Sequence, residues 1–147
     1  MAPRWSHQHL GFKRGLVIAS LNVYGLRGHL DEIQLLLNSL GIHILALNET
    51  KLDGSVAKEL TDMTGYQQKR LDRNCNGGGL SINIRDSIRF KPRDDVPVGD
   101  LELCIEIEPR KCKPFLIVAW YRSPSSPLAP LRSWKRFSLF WTKKTRK

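Results

Sequence analysis

The stretch IHILALNETK, residues 42–51, is an apolar run that ends in a carboxylate. Buried strands of α/β sheets are nearly continuous in apolar residues, and ligand sites lie where such strands end. The stretch therefore predicts a buried strand that places Glu49 at a functional edge. A second apolar run, residues 16–22, ends in Asn22. We expect Asn22 and Glu49 to lie at the same edge of one sheet.

The segment between the two runs has the pattern of an amphipathic helix. Its apolar residues recur at helical spacing: Leu30, Ile33, Leu37 and Leu40. Asp31 and Glu32 suit the first turn, where the helix dipole favours acids, and Gly41 suits a C-terminal cap. Strand, helix and strand in this order predict a β-α-β unit with parallel strands and a right-handed crossover.

Two later segments alternate apolar and polar residues, which is typical of strands with one wet face. In residues 80–85 the alternation predicts a half-buried strand, and Asp86-Ser87 predicts a hairpin leading to residues 88–90. Residues 101–108 alternate in the same way, with glutamates on the water-facing side. Both segments predict strands of an α/β protein.

The last apolar run predicts a buried strand that ends in polar side chains. Residues 114–120 are apolar on both faces, Tyr121 and Arg122 follow, and a Ser/Pro-rich stretch stops the strand. The three glycines at residues 77–79 are assigned a structural function, entry into a strand, in preference to cradling a phosphate.

Composition limits the class of protein. A chain of 147 residues with 41% hydrophobic residues predicts one domain with a core. Residues 1–14 lack the apolar segment of a signal peptide, and no window is apolar enough to span a membrane. We therefore expect an intracellular protein that is not secreted. Three cysteines without a CxxC pair predict reduced thiols and argue against a disulfide framework or structural zinc.

Charge is unevenly distributed and suggests three segments. Residues 1–14 have no regular pattern and predict a loose leader, and the domain pattern covers residues 15–127. Residues 128–147 hold seven Lys/Arg and no acid, so that the net charge of +10 falls to +3 without them. This basic aromatic tail favours nucleic acid, whereas the alternative is a solvated terminus.

The polar residues at the strand ends predict a particular chemistry. Asn, Glu, Tyr and Arg without a paired histidine or cysteine suit an oxygen-ligated cation and a phosphate better than a nucleophilic triad. Mg²⁺ needs only one or two carboxylates, so Glu49 suffices to begin a site. Simpler alternatives stay open: a turn function for Asn22, a solvated strand end for Glu49 and packing for Tyr121.

Four short motifs occur in an order found in a known family: SLNVYGL at 20–26, LNETKL at 47–52, GGGL at 77–80 and WYRSP at 120–124. Together they resemble the endonuclease/exonuclease/phosphatase superfamily, particularly the endonuclease domain of non-LTR (LINE-type) retrotransposons. The resemblance implies an α/β fold, a deoxyribonuclease I-like two-sheet sandwich, and metal-dependent cleavage of DNA. It also implies Mg²⁺ or Mn²⁺ as the cofactor, DNA as the partner, and neither a membrane nor a small-molecule cofactor.

The resemblance assigns functions to individual residues. Glu49 matches the metal-binding glutamate, and Asn22 matches a catalytic asparagine beside the metal and the scissile phosphate. Tyr121 matches the catalytic tyrosine that contacts that phosphate. Arg122 and Lys51 are placed to add positive charge near the DNA backbone.

The chain departs from the family in its second half. The family has a later Gly-Asp-Phe-Asn-like segment and a Ser-Asp-His-like segment, which supply a catalytic Asp, an Asn and a His. Neither segment is present, no acid follows Glu108, and all four histidines precede Glu49. We therefore expect a truncated, N-terminal half of the sandwich that is inactive alone, nuclear if functional, and able to self-associate through an uncovered sheet face. A non-catalytic nucleic-acid-binding fragment and a phosphoesterase acting on a small phosphoester remain as alternatives.

Overall fold

The computed structural model describes residues 15–96, 102–110 and 112–121. The predicted leader, the basic tail and Arg122 lie outside these residues. The described strands are β1 (Ile18–Asn22), β2 (Ile44–Asn48), β3 (Tyr66–Leu71), β4 (Leu80–Arg85), β5 (Phe90–Pro92), β6 (Glu102–Ile107) and β7 (Phe115–Trp120). The helices are α1 (Leu30–Leu40) and two 3-10 helices (Leu26–Gly28 and Lys58–Leu60).

The β-α-β unit has the form that the sequence predicts. β1 and β2 are parallel, and Asn22 pairs in register with Asn48. Gly41 ends α1 in the left-handed conformation, with φ of 59°, where its N–H donates to the carbonyl of Leu37. The apolar face of α1 packs on the outer face of β2 and buries Ile33 and Leu37.

The strands form a two-sheet α/β sandwich. One sheet has the order β1-β2-β4-β3, and the other has the order β5-β6-β7. β7 packs across β2 and β4, while β6 packs across β3 and β4. The core between the sheets consists of alternate side chains of β4, β6 and their neighbours. The predicted α/β sandwich is therefore observed.

The predicted hairpin after residue 85 is wrong. β4 pairs with β2 and β3 in the first sheet, whereas β5 pairs with β6 in the second. The chain changes sheets because Ile88 and Phe90 pack into the core between the sheets. β4 instead forms a hairpin with β3, through a turn closed by Asn74 and Gly77.

The polar face of β4 is buried, so the predicted half-buried strand is also wrong. Ser81 and Asn83 are fully buried. The Gln68 side chain donates to Asn83 Oδ1 at 3.0 Å and accepts from the Thr61 hydroxyl at 3.0 Å. Hydrogen bonding to protein groups replaces hydration here, which is why alternation in sequence did not reveal the burial.

The sandwich is open on the side of β1 and β7. Three β1 residues, Ile18, Ser20 and Asn22, pair with β2 residues whose side chains point between the sheets. The side chains of these three β1 residues therefore point to the same side. Ile18 is nevertheless 49% exposed, because β7 lies over β2 and β4 and β1 projects beyond it. The inner face of β1 is therefore uncovered in the described part of the chain.

Two further expectations concern thiols and membranes. Cys75, Cys104 and Cys112 are free thiols, as predicted, and burial raises the pKa of Cys104 to about 11. None of the helices within the three described ranges is long and apolar enough to cross a membrane.

Candidate active site

A cleft of about 440 Å³ lies where β2 and β7 end. Three predicted site residues, Glu49, Lys51 and Tyr121, share it although they are distant in sequence. The residues that line the cleft are Tyr24, Glu49, Lys51, Arg73, Asn74, Asn76, Gly77 and Tyr121. The cleft therefore joins the ends of both sheets to the β3–β4 turn.

Glu49 is held in place by groups from two other segments. Its Oε2 accepts the backbone N–H of Gly78 at 2.9 Å, and the Tyr121 hydroxyl donates to the same carboxylate. These hydrogen bonds, Tyr121 first and Gly78 second, lower the pKa of Glu49. Burial opposes them by a smaller amount, and the charges of Lys51 and Arg73 make still smaller contributions that lower the pKa. Glu49 is therefore a carboxylate at neutral pH.

Tyr121 links the two sheets at the cleft. It follows the last residue of β7, while Glu49 follows the last residue of β2. Donation to Glu49 raises the pKa of Tyr121, so that the hydroxyl stays protonated. The phenol has a single O–H to donate. It can donate to an oxygen of a ligand only by giving up its hydrogen bond to Glu49, so a ligand would alter this pair.

The backbone at Glu49 adopts an uncommon conformation. Glu49 and Lys51 have φ of 58° and 52°, in the left-handed region that side chains disfavour. Such residues cost about 1–3 kcal/mol each and persist only where their surroundings fix them. Here the carbonyls of Gly78 and Gly79 accept from the N–H groups of Lys51 and Thr50, at 3.0 and 3.4 Å. The strain coincides with the predicted functional residue.

The glycine run has the structural function that the sequence predicts, with an addition. Gly78 has φ of 77°, and a Cβ there would lie 2.8 Å from Cδ of Arg73. Only glycine fits this conformation and this space without displacement. The same residue supplies the N–H that holds Glu49, which was not expected from the sequence.

Asn22 and Glu49 lie at the same edge of the first sheet. Asn22 ends β1 opposite Asn48, and the N–H of Gly25 donates to the Glu49 carbonyl at 2.8 Å. The Asn22 carboxamide oxygen accepts the N–H of Tyr24 at 3.2 Å, which is the turn arrangement left open as an alternative. Asn22 does not line the cleft, so its metal and catalytic functions stay predictions.

Five residues that line the cleft were not among the predicted site residues: Tyr24, Arg73, Asn74, Asn76 and Gly77. The last four belong to the turn between β3 and β4. The turn folds back on the residues after β2, where the N–H of Arg73 donates to the carbonyl of Leu52 at 3.2 Å. Nothing in the local pattern of the turn indicated this contact, which depends on strand pairing.

The side chains of the cleft suit a divalent cation that Glu49 and a phosphate group would bind together. Within the described ranges no three His, Cys, Asp or Glu side chains form a group that could hold a metal by themselves. A carboxylate has about four acceptor positions, and Glu49 keeps free ones beside Gly78 and Tyr121. Mg²⁺ commonly uses one or two carboxylates with waters and phosphate oxygens. Lys51 and Arg73 favour the phosphate.

Comparison with known proteins supports the fold. No protein-family model matches the chain, and no curated protein matches it. Among solved structures, it is similar to the endonuclease domain of TRAS1, a telomere-specific non-LTR retrotransposon, with a TM-score of 0.58 and 15% sequence identity. The match covers 82% of this chain and 52% of that one, so the chain spans about half the length of the matched domain. The predicted resemblance to this endonuclease fold is confirmed.

Proposed function

We propose that this chain is the N-terminal part of a metal-dependent DNA endonuclease domain of the retrotransposon type. In this proposal the cleft binds a phosphodiester of DNA, but the 147-residue chain does not hydrolyse it alone. The observation that carries the proposal is the Glu49–Tyr121 pair, held by Gly78 beside Lys51 and Arg73. The fold shared with a retrotransposon endonuclease domain supports it.

Arg73 and each of the predicted site residues have a defined task in this proposal. Glu49 would hold Mg²⁺ or Mn²⁺, which when bound neutralises charge on a phosphate oxygen. Lys51 and Arg73 attract the phosphate, and the Tyr121 hydroxyl donates to one of its oxygens. Asn22, at the same sheet edge, would add a carboxamide oxygen beside the cation. Arg122, next in sequence to Tyr121, would add charge along the backbone.

Lack of hydrolysis follows from the missing groups. Hydrolysis needs a general base for water and an acid for the leaving oxygen, and loss of such a group typically costs about 10²–10⁴-fold. The described cleft offers one carboxylate, which the cation would use. We therefore propose that the chain binds DNA without cleaving it, and that it does so in the nucleus.

Two alternatives have support of their own. A non-catalytic nucleic-acid-binding fragment is favoured by a cleft with two cationic side chains and one carboxylate. A phosphoesterase acting on a small phosphoester is favoured by the cleft volume, which is in the range of about 300–1,000 Å³ typical of small-ligand pockets. In both cases the phosphate would occupy the same place.

Nicking and phosphatase assays separate binding without turnover, which the proposal and the first alternative share, from DNA cleavage and from hydrolysis of a small phosphoester. Supercoiled plasmid is incubated with the chain in Mg²⁺ or Mn²⁺, and Glu49→Gln serves as the isosteric control. We expect no nicking by either protein. Nicking by the unmodified chain that Glu49→Gln abolishes would show that the chain is an active enzyme. Glu49-dependent hydrolysis of p-nitrophenyl phosphate without nicking would instead favour the small phosphoester.

Binding is measured by fluorescence anisotropy with a labelled 20-base-pair duplex at two salt concentrations. Arg73→Gln and Lys51→Gln should weaken binding and reduce its salt dependence, because each removes a phosphate contact. Lys58→Gln, an exposed cation outside the cleft, is the matched control and should change binding little. Equal effects at all three positions would contradict the cleft as the binding site.

A further inference from the structure

Tyr24 is a large aromatic side chain that the fold leaves exposed at the rim of the cleft. It is 74% exposed, although tyrosines usually bury most of their ring. It lines the same cleft as Glu49 and Tyr121. The described core makes no use of this ring, so its position calls for another explanation.

The backbone holds Tyr24 firmly at this position. Its φ of 46° is in the left-handed region, which is uncommon for a bulky residue. The N–H of Tyr24 donates to the Asn22 carboxamide, and the N–H groups of Gly25 and Leu26 donate to the carbonyls of Glu49 and Thr50, at 2.8 and 2.9 Å. The ring is thus presented by a loop tied to the end of β2. A loop fixed in this way loses little further backbone freedom when a ligand binds.

One face of the ring is occupied by a cation. The ammonium of Lys51 lies 3.2 Å from the centroid of the Tyr24 ring. Because the side chain is 74% exposed, the opposite face is open to solvent. The cleft therefore combines a flat aromatic face with two cationic side chains, Lys51 behind the ring and Arg73. A nucleotide presents the complementary combination of a flat base and an anionic phosphate.

We propose that Tyr24 is a stacking platform for an unpaired nucleobase of the nucleic acid whose phosphate lies in the cleft. A base inside a duplex has both faces covered by its neighbours, so the platform selects single-stranded or locally unpaired DNA. Stacking on an aromatic side chain tolerates every base, because each has a π face. This inference rests on the proposed binding of a nucleic-acid backbone at Glu49 and adds a preference for strands with accessible bases.

The test separates base contacts from phosphate contacts. Two labelled 15-nucleotide strands carry the same phosphates, but one has a central run of abasic sites. Binding of both is measured by anisotropy with the unmodified chain, with Tyr24→Phe, which keeps the π face, and with Tyr24→Leu, which keeps apolar bulk. Circular dichroism and thermal unfolding show that each variant is folded.

We expect Tyr24→Leu to weaken binding of the base-bearing strand by about 5–100-fold, down to the affinity for the abasic strand. Binding of the abasic strand should not change, and Tyr24→Phe should bind both strands as the unmodified chain does. Equal loss on both strands, or no loss on either, would overturn the stacking platform and leave the proposed function intact. Failure of the unmodified chain to bind either strand would overturn the stacking platform, and failure to bind the duplex as well would overturn both.

Discussion

Gly78 donates its backbone N–H to Oε2 of Glu49 at 2.9 Å, and this bond joins the β3–β4 turn to the end of β2. The two residues are 29 positions apart in the chain. The bond orients the carboxylate and lowers its pKa, so the shape of the turn and the charge of the site depend on each other.

Replacement of Gly78 by alanine should destabilise the protein. The residue has φ of +77°, and the new Cβ would lie 2.8 Å from Cδ of Arg73. A left-handed conformation costs an L-residue about 1–2 kcal/mol, and we expect the free energy of unfolding in urea to fall by at least that amount. Gly54→Ala is the control, because no atom lies within 4 Å of its Cβ position and its φ is not positive. Equal losses in the two variants would contradict the explanation.

Replacement of Tyr121 by phenylalanine should raise the pKa of Glu49. The Tyr121 hydrogen bond is the largest cause of the lowered pKa, and the ordinary value is 4.5. A ¹³C NMR titration of the Glu49 carboxyl measures the change. Tyr66→Phe removes a hydroxyl that bonds the Ile42 carbonyl away from the cleft, and it should leave the Glu49 pKa unchanged. An unaltered Glu49 pKa in Tyr121→Phe would exclude the hydrogen bond as its cause.

The same pKa predicts an effect of acid on stability. Because folding lowers the pKa of Glu49, its carboxylate stabilises the folded state above about pH 4.5, the ordinary value, and the contribution is lost as pH falls through the folded-state pKa. Glu49→Gln removes this titration. We expect the unmodified chain to lose more unfolding free energy than Glu49→Gln between pH 6 and about pH 3, as measured by urea denaturation at each pH.

Replacement of Asn83 by alanine should be costly although the residue is polar. Asn83 is fully buried, accepts from Gln68 and donates to the Leu45 carbonyl. Leaving a buried partner unsatisfied costs about 1–3 kcal/mol. Asn38→Ala, at an exposed position of α1, should change the unfolding free energy by less than about 0.5 kcal/mol. The unfolding free energies are measured by thermal or urea denaturation. Similar losses in Asn83→Ala and Asn38→Ala would show that the buried network contributes no stability.

Replacement of Ile18 by lysine should reduce self-association. Ile18 is 49% exposed on the inner face of β1, and an unpaired edge with an apolar face favours contact between copies. We expect sedimentation velocity of the unmodified chain to depend on concentration and that of Ile18→Lys to depend on it less. Leu35→Lys alters a more exposed apolar residue on α1 and should have no such effect. A concentration-independent, monomeric unmodified chain would contradict the expectation.

Local pattern and tertiary contact account for different parts of the site. The parallel β-α-β unit, the cap at Gly41 and the common edge of Asn22 and Glu49 agree with the sequence, because apolar periodicity and chain connectivity specify them. The wrong predictions concern β4 and β5. Alternating apolar residues show which face of a strand is buried against the core. The sequence pattern of the polar face, however, is the same whether that face packs against Gln68 and Thr61 or is exposed to water.

The sequence by itself determined the class of fold, the strand that delivers Glu49 and the strand that delivers Tyr121. Only the tertiary structure decided that these two side chains meet, that Gly78 and Arg73 approach them from a third segment, and that the ring of Tyr24 lies beside Lys51. The physical reason is the distance along the chain over which each effect acts. Periodicity and caps act within about one turn or a few residues, whereas the cleft depends on how two sheets stack and where a distant hairpin turns.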